Sequence, residues 1–315
     1  MKKLVKTFAA LCLGVMLLSC DSSTDPIEMP KSAYDLASAD SDLSSLKAAI
    51  DKTGLATTLN GAGNFTVFAP SNAAFSQFLT ANGFASLNDV PNALLKEVLL
   101  NHVLATKVMA AQINTGYVST LAKGGASTTR NLSMYLNISN GVKINGTSTV
   151  TAADIMASNG VVHKVDKVIG LPTIVTHAAA NPEFSSLVAA LTRPDMPNFV
   201  SILSGTASSP FTVFAPTNAA FGSLLSELGL ANLAAVPQAT LENVLKYHVV
   251  AGANVASTDL TNNMVVTTFQ GGTFTITTTG GAKIKDANNR TSNIILTDVQ
   301  CSNGIIHAVD KVLLP

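Results

Sequence analysis

One string of eleven residues occurs twice: FTVFAPSNAAF at 65–75 and FTVFAPTNAAF at 211–221, differing only at Ser71 and Thr217. Two further matches keep nearly the same spacing. LLKEVLLNHV from Leu94 pairs with TLENVLKYHV from Thr240 at the same offset of 146 residues, and NGVVHKVDKVIGLP from Asn159 pairs with NGIIHAVDKVLLP from Asn303 at 144. Three collinear matches are a tandem duplication, and its period is too long for a solenoid unit. A chain of 315 residues holds two domains of ordinary size. Each copy is therefore expected to be a complete domain, residues 32–172 and 173–315, because the second copy of the last motif runs out at Leu314-Pro315.

The duplicated string reads as a strand-to-helix corner. Phe65, Val67 and Phe68 make a short apolar strand that Pro70 ends, since proline brings no ladder donor. Ser71 and Thr217 are the predicted N-caps of the helix that follows. Phe75, Phe78 and Leu79 recur at helical spacing, as do Phe221, Leu224 and Leu225, and Gly83 and Gly229 stand where these helices should close. A second helix is predicted from Pro91 and from Pro237, with apolar stripes Leu95, Val98, Leu99 and Leu241, Val244, Leu245. His102 and His248 continue those stripes and are expected to be buried and hydrogen-bonded. Beyond about residues 105 and 251 the pattern changes to Thr- and Val-rich runs broken by turns, as in SMYLNISNGVKI and GTFTITTTGGAKI, which is hairpin chemistry. Each domain thus reads as α+β, helices first and an antiparallel sheet second.

The N-terminus is expected to be a targeting segment, residues 1–19, followed by a tether, residues 20–31. Lys2, Lys3 and Lys6 precede an apolar run from Phe8 to Leu18, and Leu17-Leu18-Ser19-Cys20 resembles the bacterial lipobox, in which the cysteine becomes lipidated. Several acyl chains on Cys20 would give a stable anchor. The expected location is therefore the cell envelope of a bacterium, the outer membrane or cell surface favoured over the periplasmic face of the inner membrane. With Cys12 in the signal segment and Cys20 acylated, Cys301 is left alone. It matches Ala157 of the first copy and reads as a small buried filler.

Charged residues make up 12% of the chain and the net charge is zero, which leaves no basic footprint for nucleic acid. No nucleophile elbow, Walker loop or metalloprotease motif occurs, and five histidines in all give no metal cluster. No catalytic residue, metal or cofactor is expected. The nearest catalytic suggestion is His163 with Asp166, repeated as His307 with Asp310. On a strand the histidine and aspartate of each pair point to opposite faces, so both pairs read as structural.

TVFAP[ST]NAAF, a helix ending in Tyr-His-Val, and NG[VI][VI]HxVDKV, in that order, resemble the fasciclin domain over nearly all of both repeats. The resemblance implies two tandem domains, each a wedge-like β-sandwich with packed helices, on secreted or surface-anchored proteins of cell adhesion without catalytic activity. It also implies two candidate binding sites. The Tyr-His motif stands as Tyr247-His248, but as Asn101-His102 in the first domain. The Asp-Ile motif stands as Asp154-Ile155, but as Asp298-Val299 in the second. The expected function is a lipid-anchored, non-enzymatic adhesion or binding protein with a protein or glycan surface ligand. The alternative is a surface glycan-binding lipoprotein assisting polysaccharide capture.

Overall fold

The computed structural model describes residues 31–315. The expected signal segment, Cys20 and all but the last residue of the expected tether lie outside the described residues. The first repeat begins with helices α1 (Ala33–Ala39), α2 (Ser44–Thr53) and α3 (Ala56–Asn60), then β1 (Phe65–Pro70), α4 (Asn72–Ala81) and α5 (Asn92–Leu100). Strands β2 (Val103–Leu104), β3 (Gly116–Lys123), β4 (Asn131–Asn137), β5 (Lys143–Ile144), β6 (Ser148–Ala157) and β7 (Gly160–Val165) complete it. The second repeat follows the same course through α6 (Ile174–Ala180), α7 (Ser185–Leu191), α8 (Phe199–Ser204), β8 (Phe211–Pro216), α9 (Asn218–Glu227) and α10 (Gln238–Tyr247). It closes with β9 (Val249–Ala251), β10 (Val265–Thr267), β11 (Thr273–Thr277), β12 (Lys283–Lys285), β13 (Thr291–Cys301) and β14 (Gly304–Val309).

The duplicated string is the corner its residues specify. Strands β1 and β8 end at their prolines, and the hydroxyls of Ser71 and Thr217 accept the Ala74 and Ala220 amides at 3.2 and 3.3 Å, capping α4 and α9. Gly83 and Gly229 take left-handed φ of 71° and 64° just past those helices, where the Phe84 and Leu230 amides return to Leu79 and Leu225.

The sheets differ from the expected antiparallel arrangement. Among the described residues each repeat holds one seven-stranded sheet, ordered β2-β1-β7-β6-β5-β4-β3 in the first and β9-β8-β14-β13-β12-β11-β10 in the second. Beside the short edge strand, β1 runs parallel to β7, with Phe68 opposite His163, and β8 runs parallel to β14, with Phe214 opposite His307. The helices and hairpins between these strands supply the long connection that a parallel pair needs. Gly160 and Gly304 permit it sterically: a Cβ there would lie 2.0 and 2.2 Å from the Phe65 and Phe211 carbonyl oxygens.

The sheet folds back on itself at β6, which pairs β7 along Val150–Ala157 and β5 at Ser148–Thr149. The register slips on either side of Ala152, and Asp154 takes a left-handed φ of 61°. Phe68, Leu104, Met134, Leu136, Ile144 and Val165 fill the inside of this wedge, and Leu46, Ile50, Phe75 and Leu95 of the helices pack on its outside against Val67 and Val162. Each domain therefore has an inner and an outer apolar layer.

Residues 31–315 pack as one unit. The β13–β14 turn of the second domain lies against the first, where the Ser302 amide donates to the Pro172 carbonyl at 2.7 Å and the Ser302 carbonyl accepts the Ala126 amide at 3.0 Å. The Gln300 amide donates to Ser133 Oγ at 3.0 Å, and Asn181 Nδ2 to the Tyr117 hydroxyl at 3.3 Å. A Cβ on Gly124 would come within 2.6 Å of Ser302 Cα, so glycine sets how closely the domains dock. Gly124→Ala is expected to cost about 1–3 kcal/mol in chemical denaturation, through a forced backbone shift. An unchanged urea midpoint would show that this seam does not form.

Candidate functional site

Four of the five histidines occupy two repeated positions, and in each the imidazole bridges backbone groups that no helix or strand satisfies. His102 follows the end of α5. Its Nδ1–H donates to the Val98 carbonyl at 2.7 Å and its Nε2 accepts the Ile169 amide at 2.8 Å. His248 repeats this with Val244 at 2.7 Å and Leu313 at 2.9 Å. His163, on β7, has the opposite tautomer: Nδ1 accepts the Asp154 amide at 3.1 Å and Nε2–H donates to the Val108 carbonyl at 3.0 Å. His307 makes the same bridge to Asp298 at 3.3 Å and Val255 at 2.9 Å.

Asp154 and Asp298 belong to the same device. Each sits at the left-handed residue of the β6 or β13 bend, and its Oδ1 accepts an amide from the crossing loop, Ala110 in one domain and Ser257 in the other, both at 2.8 Å. Ser257 Oγ also donates to the second Asp298 oxygen. Asp154 Oδ1 lies 3.9 Å from His163 Nδ1, so the structure brings together two residues that sequence reasoning treated separately. The sequence-adjacent partners stay apart. Asp166 accepts the Thr149 amide at 2.6 Å, and Asp310 takes both the amide and the side-chain nitrogen of Asn293 at 2.7 and 2.6 Å.

The candidate binding residues differ in access. Tyr247 is 0% exposed: its hydroxyl donates to the Thr273 carbonyl at 2.6 Å, and its ring stands edge-on to Phe274. With His248 also buried, a ligand on the surface meets neither side chain. Around the other motif the Asp154 side chain is 37% exposed, Ile155 packs on the outer core, and Met156 is 53% exposed. Asn101, in place of the tyrosine in the first domain, is buried and donates to the Gly170 carbonyl at 3.0 Å. Cys301 is buried, and burial pushes its thiol well above the ordinary range.

Sequence reasoning gave His177 no role, yet the structure buries it completely between the domains, edge-on to Tyr117 at 5.3 Å. Neither ring nitrogen has a partner in good hydrogen-bonding geometry, although the Ser133 backbone lies near enough to favour the charged form slightly. The available signal was its position in the repeat, where the first copy has Leu36. Among the described residues, no three metal-ligating side chains come together.

The fasciclin-domain family model matches residues 41–172 and 182–315. An uncharacterized protein of Synechocystis sp. is 37% identical over 144 residues, which is 46% of this chain and 98% of that protein. Human periostin is 28% identical over 84% of the chain, and pig transforming growth factor-beta-induced protein ig-h3 is 29% identical over 82%. The chain spans only 30% and 35% of these two animal relatives. Among solved structures, the FAS1 domain pair from the insect cell adhesion molecule fasciclin I has a TM-score of 0.51 at 22% identity, covering 87% of this chain and 97% of that one.

Burial lowers His102, His177 and His248 from 6.5 to about 4. Between those values the unfolded chain binds protons that the folded chain does not, so the stability these groups confer is complete above about pH 6.5 and falls with pH. At pH 4.5 the loss is roughly 2–3 kcal/mol per histidine. The melting temperature should therefore be level above pH 6.5 and drop steadily to pH 4.5. A level profile across that window would contradict neutral burial.

Proposed function

Because the chain belongs to the fasciclin-domain family, we propose that it is a non-enzymatic adhesion or binding module, lipid-anchored in a bacterial envelope and displaying its two domains as one docked pair. The observation that carries this reading is the tandem pair itself, packed through the Ser302 seam and similar in fold to a domain pair from an insect cell adhesion molecule. The histidine and aspartate motifs support it from the other side. The ring nitrogens of His102, His163, His248 and His307 are committed to backbone groups, so these residues hold the scaffold and leave recognition to the surface.

Of the two candidate motifs, the Asp154–Met156 bend is the one that a partner can touch. Asp154 offers its partly free carboxylate and Met156 an exposed, adaptable side chain, a combination suited to a protein partner with a cation beside an apolar residue. Tyr247 and His248 hold the second domain together beneath its surface. Glycan capture is the weaker reading: Tyr135 and Tyr247 are buried, Tyr34 and Tyr117 half-buried, and the chain has no Trp with which to stack a sugar.

Anchoring through Cys20, with residues 21–31 as spacer, would place the pair outside the membrane surface. Wild-type protein is expected to incorporate labelled palmitate and to be cleaved by protease added to intact cells. Cys20→Ser should do neither and should leave the membrane fraction. Attachment of cells to surfaces or to one another should fall in both the Cys20→Ser strain and a deletion strain. Full protection from protease, or unaltered attachment in the deletion strain, would overturn the proposal.

A further inference from the structure

The second domain contains a cavity of about 230 Å³ between helices α6, α7 and α8 and the outer face of its sheet. Packed interiors hold few voids larger than a water molecule. The surface lining this one is wholly apolar. Val213 and Ala215 of the duplicated strand form its floor with Ile306, and His248 presents only ring carbon, since both of its nitrogens are engaged. Val175, Ala179, Val188, Thr192 and Val200 form the partly exposed rim.

The first domain shows how the same place is closed. The positions that match Val175, Val188 and Thr192 carry Tyr34, Lys47 and Asp51. There the tyrosine hydroxyl donates to Asp51 at 2.8 Å, Lys47 bonds the same carboxylate at 2.6 Å, and the ammonium lies 5.8 Å from the tyrosine ring centre. The second copy has exchanged this polar cluster for two valines and a threonine. It has also replaced the short Gly54–Leu55 link between α2 and α3 by residues 192–198, which carry α8. Both differences fall at the cavity and leave the shared strands unaltered.

We infer that this cavity is a binding site for an alkyl chain, recognised by its tail without regard to its head group. An apolar cavity of about 150 Å³ holds benzene, so about 230 Å³ takes roughly nine carbon atoms. The rim offers no charge for a head group. Arg193, the cation beside Thr192, is committed to Asp195 at 2.6 Å and to the Leu233 and Val236 carbonyls at 3.0 and 2.8 Å. An apolar ligand in a dry cavity needs no polar partner, and it supplies the contacts that the lining lacks. This inference does not depend on the adhesion reading.

The test is calorimetric titration of the full chain in detergent-free buffer with decan-1-ol, decanoate and butan-1-ol. Both decyl compounds are expected to bind saturably at one site, within about threefold of each other, and butanol at least tenfold more weakly. Two variants close the site by different routes. Val175→Tyr/Val188→Lys/Thr192→Asp restores the first domain's cluster, and Ala178→Phe fills the cavity from α6. Each should weaken decyl binding at least tenfold while keeping the wild-type circular dichroism spectrum. Co-sedimentation of residues 31–315, the packed unit without the expected Cys20 anchor, with phosphatidylcholine vesicles assigns the tail to membrane lipid if the variants abolish it, and to a free amphiphile if they leave it unchanged. Absence of saturable decyl binding to the wild-type chain, or binding that survives in folded forms of both variants, would overturn the inference.

Discussion

The fold depends on a neutral imidazole that joins an unpaired carbonyl to an unpaired amide. Where a helix turns into a strand, or a sheet bends, neither ladder can satisfy the backbone, and an unsatisfied group in the interior costs about 1–3 kcal/mol. Neutral histidine has one donor and one acceptor on opposite sides of a rigid ring, so it can span such a gap. His102 and His248 tie the ends of α5 and α10 to the segments that leave β7 and β14. His163 and His307 tie β7 and β14 to the bend in the neighbouring strand and to the crossing loop.

The third motif of the repeat gains its meaning from the same requirement. Asn159 accepts the Ala33 amide and donates to the Leu59 and Gly61 carbonyls, fastening two helices to the start of β7, and Asn303 does the same with Ile174, Leu203 and Gly205. Gly160 and Gly304 then allow the parallel strand to approach. Asn, Gly and His at fixed spacing therefore build one joint. A duplicated motif of this kind invites a binding explanation, but its polar atoms are already used.

Much of this was legible in the sequence, because the signals were local. Ser71, Thr217, Gly83, Gly229 and the Asn-Gly and Gly-Gly turns each fix the backbone within a few residues, and the 3.6-residue stripe that ends at His102 was enough to place that ring inside. The parallel pairing of β1 with β7 joins segments some 95 residues apart, and no local pattern encodes it. The meeting of Asp154 with His163 needs a left-handed bend at a residue that alternation alone would place on a regular strand. Tyr247 was a candidate binding residue through the family resemblance, yet its ring fills the inner core of the second domain beside Phe274. The docking seam depends on Ser302 and Gly124, small residues that carry no periodicity. Comparison of the copies separates scaffold from specialisation: what they share builds the joint, and what differs, His177 at the seam and the apolar rim of the cavity, is particular to the second domain.

The most direct test of the joint is the state of the four imidazoles, read by nitrogen-15 NMR at pH 7 on the full chain. Fixed tautomers are expected, with the proton on Nδ1 in His102 and His248 and on Nε2 in His163 and His307, each in slow exchange with water. Nitrogen shifts averaged between the two tautomers at these positions, or a positively charged ring at His102 or His248, would contradict the account.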